Sequence, residues 1–114
     1  MTPRRGDLVP LQSERIGFAR REDSQLVLVL QVDRATEVLA TAVVAPVEDR
    51  FDPDLMLPFD VVIPAREAQA KRDHVVHVHL LKAVRVDGLK AEREGAVSSH
   101  TLDAVVRAER LLLG

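Results

Sequence analysis

Apolar residues in this chain come in short bursts, each stopped within about ten residues by proline, glycine or a charged cluster, and that spacing favours a sheet over a helical bundle. Leu26-Val27-Leu28-Val29-Leu30 has no polar break, as expected of a strand buried on both faces. Residues 38–47 form a second run, rich in β-branched side chains and ended by Pro46 and a charged cluster. Residues 59–63 form a third, closed by Pro64, and residues 74–81 and 84–86 follow, with Asp87-Gly88 marking a turn. Residues 65–71, opened by Pro64, read as a single helical turn. Then the period changes. Leu102, Val105, Val106 and Leu113 recur at helical spacing behind Ser98 or Ser99, either of which suits a helix N-cap. Five or six strands and one late helix predict a mainly β, α+β barrel-like domain, and 114 residues suit one core.

The absence of cysteine leaves no disulfide framework and no thiolate metal site. No apolar run approaches the roughly 20 residues that span a bilayer, and the polar Gly6-Asp7 follows Arg4-Arg5 where a signal peptide would turn apolar. A cytoplasmic protein without membrane contact is expected. A net charge of −2 argues against duplex binding by bulk phosphate neutralisation. With only Phe18, Phe51 and Phe59 as aromatics, the usual stacking platforms for single strands cannot be built. A nucleic-acid site here has to be local, made of arginine, histidine and hydrogen bonds.

Arg5-Gly6-Asp7-Leu8-Val9, Leu26-Val27-Leu28-Val29-Leu30, Val43-Val44-Ala45-Pro46-Val47, Pro58-Phe59-Asp60-Val61-Val62-Ile63-Pro64, Asp73-His74-Val75-Val76 and the closing segment from Gly95-Ala96-Val97-Ser98 to Leu113 occur in that order. Together they resemble the MazF/PemK family of toxin endoribonucleases over nearly the whole chain. The resemblance implies an SH3-like, CcdB/PemK-type barrel sheet with a C-terminal helix, assembled as a two-fold homodimer. It also implies cleavage of single-stranded mRNA without metal or other cofactor, and silencing by a cognate antitoxin peptide lying over the active groove. The sequence departs from the family at several functional positions. The family's loop arginine falls on Gln25 and the proline after it on Leu26; its threonine falls on Glu48. The arginine and aspartate that Kid-like members carry on the later strand fall on His77 and His79. Arg20 or Arg21 is the available replacement for the loop arginine.

His77 and His79 are the sharpest chemical feature. Residues two apart on a strand share a face, which groups both imidazoles with Val75 and Leu81 and sends Val76, Val78 and Leu80 into the core. Imidazole changes charge near neutral pH, so one ring can take the 2′-hydroxyl proton while the other protonates the leaving 5′-oxygen. The same pair also reads as polar positions on a solvated or interface face, or as two zinc ligands awaiting a third from Asp73, His74 or His100. Arg15, Arg20 and Arg21 suit bidentate phosphate binding, or else form a solvated loop among Glu14, Glu22 and Asp23. Glu48-Asp49-Arg50 supplies an acid/base carboxylate, an ion-pair partner for Arg20 or Arg21, or a soluble turn. The expected catalytic set is therefore His77, His79, Arg20 and Glu48, with RNA contacts from Arg15, Arg21, Gln25, Arg50 and Lys82. Leu111-Leu112-Leu113 is apolar on more than one side of the last helix, which fits burial against a second copy. The alternative function is a non-enzymatic member of the same fold: an antitoxin-binding relative, or a CcdB-like topoisomerase inhibitor. The absence of tryptophan weakens the inhibitor reading, because CcdB uses a tryptophan-containing motif on its target.

Overall fold

The computed structural model describes residues 2–12, 26–90 and 92–114. Among them are seven strands: β1 (Asp7–Pro10), β2 (Leu26–Val29), β3 (Thr41–Glu48), β4 (Asp60–Ile63), β5 (His74–His77), β6 (Lys82–Arg85) and β7 (Gly95–Ala96). Two α-helices accompany them, α1 (Asp33–Val38) and α2 (Ser99–Leu113). The strands pair antiparallel in the order β4-β5-β3-β2-β1-β7. β3 organises this sheet. One of its edges carries β2, while the other is divided between Thr41–Val44 pairing with β6 and Val47–Glu48 pairing with β5. At the division the chain folds through a 3₁₀ turn, Val78–Leu80, which lets β5 and β6 share one edge and curls the sheet into a half-barrel.

Strand alternation feeds two apolar layers. Val27 and Val29 of β2 join Val9, Val44 and Leu89 on one face, whereas Leu28 and Leu30 join Leu8, Val47, Ile63 and Val76 on the other. The unbroken Leu26–Val29 run is thus a strand covered on both sides. The second layer is closed by α2, which lays buried Val105 and Ala108 against β4 and the Val78–Leu80 turn. Ser98 starts that helix, its Oγ accepting the Thr101 backbone N–H at 3.3 Å, as an N-cap should. Beneath it lies the buried carboxylate of Glu67, which accepts from Ser98 N at 2.9 Å and Ser98 Oγ at 3.1 Å. Beyond the core contact the helix runs out of cover: Leu111 and Leu113 are 62% and 70% exposed.

Three expectations need correction. The run at residues 38–47 becomes a strand only at Thr41, because residues 33–38 form α1 and leave Val38 and Leu39 exposed. Gln31 fixes that junction, its Nε2 donating to Thr36 Oγ1 at 3.1 Å and to the Thr41 carbonyl at 2.9 Å. Residues 74–81 do not continue as one strand, since pairing stops at His77. In the 3₁₀ turn that follows, successive side chains rotate by about 120°, so Val78 is buried as expected while Leu80 points out, 47% exposed. Residues 65–71 form linked turns and no helix, with Gln69 at φ 51.

Candidate functional site

Antiparallel pairing sets Asp60 of β4 directly across from His77 of β5, and Glu48 of β3 across from Val75. His77 lies two residues beyond Val75, hence on the same face, and this registry brings two carboxylates to one imidazole. Asp60 Oδ1 sits 2.8 Å from His77 Nδ1, and Glu48 Oε2 sits 3.1 Å from His77 Nε2. The Asp60 carboxylate is almost wholly buried and is itself fixed, since its Oδ2 accepts the Leu57 backbone N–H at 2.8 Å. A neutral imidazole has one N–H and cannot donate to both acids; the doubly protonated ring can. Burial acts against that cation, but the hydrogen bonds to Asp60 and Glu48, with their charges, outweigh it and raise the His77 pKa above its usual value.

His79 stands next to this array although it is no longer on a strand. Its ring centroid is 6.0 Å from that of His77, edge to face, and 6.0 Å from that of Phe59. His79 Nδ1 is buried without a hydrogen bond and faces Asp60 Oδ1 at 3.8 Å. Glu48, Asp60 and His77 open into a cleft of about 200 Å³ whose wall includes Phe51, Asp52 and Met56. A neighbouring hollow of about 470 Å³ is lined by Asp49, Arg50, Phe51, Arg72 and Asp73, so Phe51 borders both. A larger cavity of about 750 Å³ lies by Arg4, Asp7, Lys90 and Arg93, where Arg93 Nη1 pairs with Asp7 Oδ1 at 2.9 Å. It contains no histidine, and the acid/base groups are concentrated at the smaller cleft.

Of the expected site residues, the fold therefore unites His77, His79 and Glu48 and places Arg50 at the adjoining hollow. Lys82 is set apart in β6, paired with Val44 on the other half of β3. Arg15, Arg20, Arg21 and Gln25 lie outside the described residues. The third zinc ligands considered are otherwise placed: Asp73 Oδ1 accepts the Ala65 N–H, His74 Nδ1 lies 3.1 Å from the Arg72 carbonyl, and His100 is exposed in the first turn of α2. Among the described residues no group of three or more histidine, aspartate or glutamate side chains is arranged to hold a metal ion. Sequence reasoning missed Asp60, Phe51 and Arg72. For Asp60 the available signal was a lone acid between Phe59 and Val61 at the start of a strand.

A family model described as a PemK-like, MazF-like toxin of type II toxin–antitoxin systems matches residues 4–113. No curated protein matches the sequence significantly. Among solved structures, the fold is similar to a MazE–MazF complex from Deinococcus radiodurans, with TM-score 0.78, 23% identity and coverage of 100% of this chain and 97% of that one. It is also similar to a mycobacterial endoribonuclease in complex with its cognate antitoxin, with TM-score 0.78, 15% identity and coverage of 98% and 95%. The Mycobacterium tuberculosis toxin MazF-mt6 gives TM-score 0.70 at 18% identity, with 90% of each chain covered. Identities this low establish the shared half-barrel sheet and C-terminal helix. Among the described residues no helix is long and apolar enough to cross a membrane.

Proposed function

The chain belongs to the PemK-like, MazF-like toxin family of type II toxin–antitoxin systems, and from that premise we propose that it cleaves single-stranded mRNA at the cleft lined by Glu48, Asp60 and His77, with His79 beside it. The observation that carries this reading is the doubly bonded His77, a proton donor held between two carboxylates beside a second imidazole. His77 is the general acid, giving its Nε2 proton to the departing 5′-oxygen. His79 is the general base. With Nδ1 turned toward Asp60, its proton belongs on that nitrogen, which leaves the Nε2 lone pair to take the 2′-hydroxyl proton. The 2′-oxygen forms a bond to phosphorus as the bond from phosphorus to the 5′-oxygen breaks, giving a 2′,3′-cyclic phosphate and a 5′-hydroxyl. Glu48 receives the His77 N–H before substrate arrives, and Asp60 orients the His77 ring. Both proton transfers are supplied by side chains, so the reaction proceeds without metal.

The same reading includes a homodimer, burying Leu111 and Leu113, and a cognate antitoxin that covers the cleft in the cytoplasm. Arg15, Arg20, Arg21 and Gln25, outside the described residues, are proposed to complete the RNA contacts. A second reading has one specific observation behind it. Glu48 occupies the family's threonine position and already engages His77, so the three groups also suit a structural ion-pair bridge in a non-enzymatic, antitoxin-binding relative. Incubating the protein with a long single-stranded RNA, with and without EDTA, and mapping the ends separates these readings. Cuts ending in cyclic phosphate and unaffected by chelator support the ribonuclease, while intact RNA supports the second reading. Loss of cutting in EDTA would instead point to metal at His77 and His79. In the ribonuclease, His77→Ala and His79→Ala each lower cleavage by about 10²–10⁴-fold.

A further inference from the structure

The hollow beside the acid/base cleft has a composition of its own. Arg50 and Arg72 are 22 positions apart in sequence, yet they line the same depression with Phe51 between the two cavities. Both arginines are exposed, and among the described residues neither guanidinium makes a hydrogen bond or ion pair. Asp49 and Asp73 line the same hollow, but neither forms an ion pair with the arginines among the described residues. Asp73 Oδ1 is occupied by the Ala65 N–H, and Asp49 is exposed to solvent. The phenyl ring of Phe51 is half-buried and is the aromatic side chain that borders both cavities. A volume of about 470 Å³ falls within the range of pockets that hold small organic ligands.

We infer that Phe51, Arg50 and Arg72 form a subsite for the nucleotide next to the scissile phosphate, its base stacked on the phenyl ring and its phosphate held by the guanidinium groups. Every base offers a π-face, so one ring can stack one base where three phenylalanines cannot build an extended platform, and planar guanidinium groups bind phosphate oxygens bidentately. That suits a chain whose net charge is −2, where bulk attraction for RNA is absent. The subsite rests on the ribonuclease reading for its place beside His77, but its occupancy is measurable without any cleavage.

The test uses a fluorescein-labelled all-deoxy strand of mixed sequence, about 12 nucleotides long, a length in the range covered by single-strand-binding domains. It has no 2′-hydroxyl and cannot be cut by this route, so anisotropy reads binding alone. Phe51→Ala is expected to weaken binding by about 5–100-fold, the cost of one lost base stack. Phe51→Leu keeps apolar bulk in the half-buried position, guards against simple unfolding and weakens binding similarly, while Phe51→Trp preserves it. Arg72→Ala lowers the slope of log affinity against log salt by about 0.7, one single-strand phosphate contact. Wild-type affinity in Phe51→Leu with an unchanged salt slope in Arg72→Ala would overturn the subsite, as would failure of the wild-type protein to bind the strand. Loss of affinity for an acidic peptide, with strand binding intact, would also overturn it and assign the hollow to a protein partner. Cleavage of RNA by the wild-type protein is scored separately: a protein that binds through Phe51 yet never cuts refutes the ribonuclease reading and leaves the subsite standing.

Discussion

Replacing Glu67 by glutamine changes no shape and removes one buried negative charge from beneath the first turn of α2. The wild-type carboxylate accepts two hydrogen bonds from Ser98 and lies close to the unpaired N–H groups at the start of the helix. Glutamine keeps one oxygen for Ser98 N and offers its amide to Ser98 Oγ, so neither bond is left without a partner. What disappears is charge assistance, about 1 kcal/mol between a charged and a neutral hydrogen bond, and attraction to the helix dipole, about 0.5–2 kcal/mol in a partly buried site. The expected loss at pH 7 is therefore about 1–3 kcal/mol. Arg66, 3.8 Å away but 81% exposed, contributes little. Burial tends to raise the Glu67 pKa, but the Ser98 and Thr101 hydrogen bonds and the Arg66 charge bring it below the ordinary glutamate value. A depressed carboxyl pKa stabilises the fold above the unfolded-state value and loses that contribution as pH falls through the folded-state value. The gap between wild type and Glu67→Gln is thus full at pH 7 and narrows below about pH 4.3, the ordinary glutamate value. Urea denaturation at both pH values reads it as a shift in midpoint at constant slope. Equal midpoints at pH 7, or a gap as wide at pH 3.5 as at pH 7, would refute the account of Glu67 as a charged brace.

At Gly95 an added Cβ would collide with the Glu67 carbonyl oxygen, so Gly95→Ala should lower stability by about 1–3 kcal/mol in thermal melts, and an unchanged melting point would contradict that contact. The raised His77 pKa stabilises the fold fully below the unfolded value, about 6.5, and is lost as pH rises through the folded value; urea midpoints should fall across that alkaline window in wild type and stay flat in His77→Gln. The exposed Leu111 and Leu113 predict a homodimer at micromolar concentration, and sedimentation as a single 12.6 kDa species at high concentration would exclude it.

The sequence pattern was most informative where hydrophobicity and burial coincide. Leu26–Val29 and α2 were legible for that reason, one from an unbroken apolar run and the other from its helical period and Ser98 cap. Val38 and Leu39 mislead because they are apolar and exposed, and α1, at six residues, is too short to display a period. His77 and His79 do share a side, though for a different reason from the one the strand pattern suggests: a 3₁₀ turn, not a continuing strand, returns His79 to its neighbour. Asp60 acquires its role only from cross-strand registry. No local pattern records that residue 60 will stand opposite residue 77, or that Arg72 will meet Arg50.

Because both edges of β3 are filled, with partners drawn from residues as early as 26 and as late as 85, folding has a built-in order of events. A ribosome that has released only the first half of the chain exposes a strand with one edge covered and the other bare, and the β1–β7 pairing waits until residue 96 emerges. Pairings of such long sequence separation require large loops to close before they stabilise anything, which slows folding relative to helical domains of similar size. The open β3 edge in that interval is a template for any extended peptide nearby, so a nascent chain offers a partner backbone hydrogen bonds that the finished protein no longer has to give.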